Sequence, residues 1–108
     1  MIIAQRTVTL TEAGRARPIG IDFHAPQGVK GGWRCAFSVH WPDAPHTGHA
    51  LGADSVQALF LAMQMVGTLL YASPHHAAGR LTWSDFGGYG FPLRASARDL
   101  AIGGDRDM

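Results

Sequence analysis

Apolar and polar residues alternate along the first part of the chain, as is typical of antiparallel strands. Residues 2–11 carry most of their apolar side chains on one face. Arg6 interrupts that face, so we expect the end near Arg6 to be partly exposed. A second alternation spans residues 19–23, and the glycine-containing segment 12–15 between the two predicts a turn. The sequence therefore predicts a β-hairpin.

The strongest alternation in the chain lies further along, at residues 33–41. A weaker strand is predicted at residues 46–51, after a proline-rich turn, and a short one at residues 81–83. On the strongest strand, the large apolar side chains that share one face are Trp33, Cys35, Phe37, Val39 and Trp41.

One long helix is predicted to begin after Asp54 and to end near Ala72. Asp54 is a good N-cap, and Gln57 three residues later is typical of a capping box. Ser73-Pro74 ends the helix, because the residue before a proline is disfavoured in the α region. A helical turn is also expected around residues 97–101.

These elements predict an α+β fold, in which an antiparallel meander of four to five strands is covered on one face by the single long helix. We expect the most apolar surface of the sheet to meet the most apolar stripe of the helix, which begins at Val56. The residues predicted to pack together are Trp33, Phe37 and Val39 on the strand, and Leu59, Phe60 and Met63 on the helix.

The predicted helix carries a second apolar stripe on nearly the opposite side, and it has no charged residue after Asp54. A surface helix normally has charged residues there, so something must cover this stripe. We expect a homodimer in which two copies of the stripe meet about a twofold axis, with the chain's own tail as the alternative cover. The predicted interface residues are Ala58, Leu61, Ala62, Met65 and Leu69.

Composition narrows the class of protein. Of 108 residues, 46% are hydrophobic and 16% charged, and the net charge is +1. These values exclude a disordered chain and give no electrostatic basis for nucleic-acid binding. We expect one domain at residues 1–92, followed by a C-terminal tail at residues 93–108.

Several features favour a cytoplasmic protein that does not bind membranes. The N-terminus lacks the pattern of a signal peptide, and the apolar segment 56–71 is too short and too polar to span a bilayer. Cys35 is the single cysteine, so no internal disulfide can form, which fits a reducing compartment.

Histidines provide the one candidate metal site. His46 and His49 lie three residues apart, and His40 lies across the predicted turn. Zinc needs three or four converging ligands, and the neighbouring sequence offers few others. Polar residues on the solvent face of a sheet are the favoured interpretation of these histidines.

No motif for catalysis or for a cofactor is present. The glycines near residue 88 match neither a P-loop nor a dinucleotide fingerprint, and Cys35, between aromatic residues, is expected in the core. We therefore predict no catalytic residue and no cofactor. In the glycine-rich loop 86–92, Phe86, Tyr89 and Phe91 either close the core, which we favour, or offer a surface to a ligand or partner.

Several segments resemble a small bacterial family of unknown function, over roughly residues 2–92. The most specific is the helix entry Gly-Ala-Asp-Ser-Val-Gln-Ala-Leu at residues 52–59. The others are Trp-Arg-Cys at 33–35, Gly-Arg-Leu-Thr-Trp at 79–83 and Gly-Phe-Pro at 90–92. The resemblance implies a single domain and carries no activity.

Three hypotheses for function follow from these observations. The first is a small, non-catalytic binding or protein-interaction domain. The second is a metal-binding protein or small enzyme that uses His40, His46 and His49. The third is a partner protein that neutralises a toxin. The sequence leaves open whether the chain is an enzyme, and it favours a protein without catalytic activity.

Overall fold

A six-stranded antiparallel sheet with one long helix packed on it forms the centre of the computed structural model, which describes residues 1–108. The predicted α+β fold is confirmed. The strands are β1 (Ile2–Glu12), β2 (Arg15–His24), β3 (Gln27–Val29), β4 (Gly32–His40), β5 (Pro45–Gly52) and β6 (Leu81–Thr82). The α-helices are α1 (Ser55–Ala72) and α2 (Pro74–Ala77), and two 3₁₀ helices follow at Ala95–Leu100 and Gly103–Asp107.

The sheet is built around a meander. β1 pairs with β2, β2 with β4 and β4 with β5, all antiparallel. β3 pairs with β4 on the side that β2 occupies, so it continues β2 beyond the interruption at Pro26. β3 is three residues long and has no apolar alternation, so the sequence pattern does not indicate it. β6 pairs with the free side of β1, so β6 and β5 lie at the two edges of the sheet, and the short β3 has β4 as its one partner.

Local signals define the ends of α1 as predicted. The Asp54 carboxylate accepts a hydrogen bond from Gln57 N at 2.8 Å. The Gln57 side chain in turn accepts from Ala53 N at 2.6 Å, one residue before the N-cap. At the other end, Ser73 N donates to Leu70 O and α2 begins at Pro74. The capping residues thus fix both ends of the helix.

The face that α1 turns toward the sheet differs from the predicted stripe. Ala58 and Ala62 are fully buried there, together with Val66 and Leu70. Val56 is 75% exposed and Phe60 is 43% exposed, although the sequence placed both in the core.

The cause of this difference is the close approach of the helix to the sheet. A Cβ atom on Gly52 would lie 2.4 Å from Ala58 N, so only small side chains fit at this contact. Ala58 and Ala62 are therefore core residues and do not belong to the outer surface that we predicted for a dimer.

The predicted contacts of strand β4 also need correction. Phe37 and Val39 are buried as expected, whereas Trp33 at the end of the strand is partly exposed. Phe37 borders a cleft with Met65 and Leu69, while Leu59 and Met63 line a different cleft beside Phe23 and Phe91. The change of helix residues beside Phe37 follows from the orientation of α1 about its own axis, which differs from the predicted one.

Residues 93–108, which we expected as a tail, pack into the same core. Leu93, Ala97 and Ala101 are buried, and so is the side chain of Asp105. The chain crosses α1 at Gly67, where an added Cβ atom would lie 3.0 Å from Leu93 Cδ2. The last segment therefore covers one flank of α1. On the flank near β5, a cleft lined by Met65, Leu69 and Arg94 stays open.

By length and composition alone, α1 could also cross a membrane, a test that the core helix of a soluble protein passes as well. About a third (33%) of its span is buried inside the structure. Much of an uncharged helix surface is therefore left partly accessible.

Candidate functional site

The short helix α2 places a histidine against the core. Ser73 ends α1 and begins α2, since its hydroxyl donates to Leu70 O at 2.7 Å and accepts from His76 N at 3.2 Å. In α2, the His75 ring lies 5.0 Å from the Trp41 ring, and the His76 ring packs against Tyr71.

His76 lies in a cluster of three rings with Tyr71 and Tyr89. The ring centroids are 4.7 Å apart for Tyr71 and His76, 5.1 Å for the two tyrosines and 5.5 Å for His76 and Tyr89. All three pairs meet edge to face, the geometry that the quadrupoles of aromatic rings favour. His76 Nδ1 and the Tyr89 hydroxyl share a short hydrogen bond, and the same hydroxyl lies 3.4 Å from Leu81 O.

Both tyrosines in this cluster keep their protons at neutral pH. Burial, and then the nearby charge of Asp105, raise the pKa of Tyr89 to about 12. Burial and the hydrogen bond to Asp105 raise the pKa of Tyr71 well above its usual range. The hydroxyl groups therefore act as hydrogen-bond donors and not as bases.

A cavity of about 250 Å³ opens beside this cluster. Its wall combines the polar groups of His76 and Tyr89 with the apolar surfaces of Trp83 and Ile102. Pockets for drug-sized ligands hold roughly 300–1,000 Å³, so this cavity suits a smaller molecule. The lining residues are His76, Gly79, Leu81, Thr82, Trp83, Ser84, Gly87, Gly88, Tyr89 and Ile102.

Asp105 is a buried carboxylate that ties the C-terminal segment to the cluster. It is 1% exposed. Its Oδ2 accepts from the Tyr71 hydroxyl at 2.6 Å and from Tyr89 N at 2.9 Å, and its Oδ1 accepts from Gly90 N at 2.7 Å. Tyr71 also accepts from Ile102 N at 3.1 Å. Each buried polar group in this network therefore has a partner.

Arg6 binds the carbonyl side of the backbone at Tyr89 and Gly90, whose N–H groups bind Asp105. Its Nη1 donates to Tyr89 O at 3.0 Å and to Gly90 O at 2.9 Å, and its guanidinium lies 4.0 Å above the Trp83 ring. Burial lowers the pKa of Arg6, and the charge of Asp105 opposes that shift. The peptide unit between Tyr89 and Gly90 thus has a cation at its oxygen and an anion at its N–H.

The loop before Tyr89 takes a shape that few residues allow. Ser84, in the cavity wall, has φ of 44°, which is strained for a residue with a side chain. Gly87 has φ of 85°. A Cβ atom on Gly88 would lie 2.4 Å from Asp105 Cγ, so only glycine leaves room for the carboxylate.

A family model described as a domain of unknown function, DUF6968, matches residues 4–93. The chain belongs to the DUF6968 family. Comparison with curated proteins and with solved structures gave no match. The expected resemblance to a small family of unknown function is confirmed, and a bacterial origin stays a prediction.

The DUF6968 match includes Arg6, Tyr71, His76, Tyr89 and Gly90 but stops before Asp105. Its end at residue 93 lies next to the predicted boundary at residue 92. The carboxylate that completes the cluster therefore comes from outside the matched region.

The three predicted metal ligands of this DUF6968 protein do not converge. His46 lies on the helix side of the sheet, where its ring stacks on Phe37 with centroids 6.4 Å apart. His40 lies on the opposite face and pairs with Asp22 at 2.8 Å, and His49 is exposed at the edge strand. The structure, which describes the whole chain, contains no group of three metal-ligating side chains.

Asp22 is the acidic residue of that solvent face. The hydrogen bond from Gln5, and then that from His40, lower its pKa. His40, Asp22 and Gln5 thus form a small hydrogen-bonded network on the solvent face of the sheet.

The other residues singled out from the sequence lie in the core or at its rim. Cys35 is fully buried, and burial raises the pKa of its thiol. In the glycine-rich loop, Tyr89 and Phe91 are buried and Phe86 is half-buried against Trp83. These rings close one end of the core, and Tyr89 also lines the cavity.

Sequence reasoning did not identify Tyr71, His76 or Asp105 as site residues. The one available signal was Arg6, a charged residue on an otherwise apolar strand face. In the structure, the Arg6 guanidinium donates hydrogen bonds to two backbone carbonyls and lies against two aromatic rings. The second ring is that of Phe91, with its centroid 4.7 Å from the guanidinium carbon.

Proposed function

We propose that this DUF6968 protein is a small, non-catalytic, cytoplasmic binding domain whose ligand occupies the cavity beside His76 and Tyr89. The single observation that carries this proposal is the cavity itself, whose wall combines the partly exposed His76 ring with the apolar surfaces of Trp83 and Ile102. Pockets that combine a few placed polar groups with apolar surface are the usual form of a small-molecule site.

The chemistry of the lining favours binding over catalysis. Tyr89 stays protonated because its pKa is about 12, so it provides no base, and its hydroxyl is already bonded to His76. The one thiol, Cys35, lies elsewhere in the core. The fitting ligand is a small molecule with a flat or apolar part for Trp83 and a polar group for His76.

Binding can be tested with a fragment screen observed by ligand NMR and two matched tryptophan variants. Ile102→Trp places a large side chain in the cavity wall, whereas Leu100→Trp changes an exposed residue of the same segment outside the wall. We expect fragments with one aromatic ring and one polar group to bind the wild type and Leu100→Trp, and Ile102→Trp to bind them at least about tenfold more weakly. Equal binding by the two variants, or no binding fragment at all, would contradict the proposal.

A second proposal concerns assembly: the flank of α1 near β5, together with the free edge of β5, forms a homodimer interface. β5 pairs only with β4 and contains no charged residue. Natural edge strands usually carry charges or bulges that prevent pairing with another chain. Beside β5, Met65 and Leu69 of the predicted outer stripe line a cleft whose one charged residue is Arg94. Leu61, one turn before Met65 on the same stripe, is partly buried as they are.

A second copy meets this surface by pairing β5 with β5 about a twofold axis, which brings the two α1 flanks together. Such an arrangement buries the apolar flank and satisfies the free backbone groups of the edge at once. The partner is therefore another copy of the chain in this proposal.

Light scattering over a range of concentrations tests the dimer. We expect the double variant Leu61→Glu, Met65→Glu to be a monomer, because four glutamates would meet across the axis. Val56→Glu is the matched control, since Val56 is 75% exposed on the opposite side of α1. A wild-type protein that is monomeric at high concentration, or a dimer that the double variant leaves intact, would show that the interface is wrong.

A further inference from the structure

Hydrogen-bond donors from the family-matched region converge on a single carboxylate. The Tyr71 hydroxyl and Tyr89 N bind one oxygen of Asp105 and Gly90 N binds the other. Both oxygens of the carboxylate therefore accept hydrogen bonds. No salt bridge to a lysine or arginine contributes to this binding.

We propose that Tyr71, Tyr89 and Gly90 form a carboxylate-binding site, and that Asp105 is its ligand, supplied by the chain's own C-terminal segment. The donors all lie within residues 4–93, whereas Asp105 lies outside them. Two successive backbone N–H groups beside a hydroxyl form a concave anion site of the kind that captures carboxylates. The chemical class of ligand is thus an organic carboxylate.

The loop at residues 88–90 has both the space and the charge distribution that an anion requires. Gly88 leaves space for the carboxylate, since a Cβ atom there would lie 2.5 and 2.7 Å from its two oxygens. Arg6 binds the carbonyl oxygen of the Tyr89–Gly90 peptide unit and so polarises the N–H that Gly90 presents. The positive charge therefore favours an anion without touching it.

Asp105 outcompetes a free carboxylate for the site, because Asp105 belongs to the same chain. Asp105 is held near the site by the rest of its segment, in which Gly104 N donates to Phe86 O at 2.8 Å. A tethered group acts at an effective concentration of about millimolar or more. A test of the site therefore needs a full-length chain from which the internal carboxylate has been removed.

Chemical rescue provides that test. Asp105→Gly leaves a space the size of acetate, and Asp105→Ala leaves one the size of formate. We expect acetate, at about five times its Kd, to raise the melting temperature of Asp105→Gly by about 4–8 °C. Asp105→Ala should respond to formate more than to acetate. The wild type should respond to neither beyond the shift that equal sodium chloride gives.

The controls separate binding of a carboxylate from two simpler effects. Asp107→Gly removes an exposed carboxylate from the same segment and should show no rescue. Acetamide, which is neutral and similar in size, should raise the melting temperature of Asp105→Gly much less than acetate does. An acetate response shared by Asp107→Gly, or equal rescue by acetamide, would overturn the proposal.

The carboxylate site can still be tested if the Asp105→Gly variant does not fold. If Asp105→Gly is unfolded in chloride, the refolding yield after dilution from urea into acetate or into chloride becomes the measurement. A higher yield in acetate supports the carboxylate site, and equal yields overturn it. Because these measurements do not involve the cavity at Ile102, their failure is separate from failure of the ligand proposal above.

Discussion

Alanine at position 88 should lower the free energy of unfolding by about 3–5 kcal/mol, although it adds only one methyl group. The new Cβ atom would lie 2.4 Å from Asp105 Cγ, a distance that forces something to move. The carboxylate can move only by leaving Tyr71, Tyr89 and Gly90 without their acceptor, and buried donors left unpaired are costly. Urea unfolding of Gly88→Ala and the wild type at one pH measures the difference.

Gly28→Ala is the matched control for this prediction. Gly28 lies in β3 with nothing within 4 Å of an added Cβ atom, so we expect a change within about 0.5 kcal/mol. A double-mutant cycle then identifies the cause. In the Asp105→Gly background, Gly88→Ala should cost much less than it does in the wild type, because the clash is gone. An equal cost in both backgrounds would contradict our account of the loop.

The elements that the sequence predicted correctly are those with short-range causes. The turn of the first hairpin lies at Ala13 and Gly14, which both have positive φ. The ends of α1 depend on Asp54 and Ser73, whose hydrogen-bond partners lie within four residues. Such signals are contained in a few neighbouring positions, so a single sequence is enough to locate them.

The orientation of α1 was not predictable in the same way. A rule that turns the largest side chains inward placed Val56 and Phe60 against the sheet. The contact is instead made by Ala58 and Ala62, because the start of the helix approaches Gly52 too closely for larger groups. How closely two elements pack is a property of both, and the pattern of one helix does not contain it.

The candidate site depends on contacts between distant parts of the chain. Asp105 meets Tyr71 across 34 positions, and Arg6 meets Gly90 across 84. Nothing near Asp105 in the sequence distinguishes it from the exposed Asp107. Arg6 alone departs from the pattern around it, and in the structure it is a partly buried cation with specific partners.

Replacing Phe37 with alanine should cost about 3–5 kcal/mol of stability, the usual range for a phenylalanine removed from a closed core. Phe37 is 1% exposed, faces Phe23 on the neighbouring strand and lies over Gly48 on β5. Gly48 has no side chain to fill the space, so the cavity would persist and its lining atoms would lose their contacts.

Phe60→Ala removes the same atoms from a helix position that is 43% exposed and serves as the control. Because solvent replaces most of the lost contacts there, we expect a cost below about 1.5 kcal/mol. Thermal and urea unfolding of both variants measure the contrast. Similar losses for the two would mean that α1 turns Phe60 toward the sheet after all, as the sequence pattern predicted, and that the small residues Ala58 and Ala62 face outward.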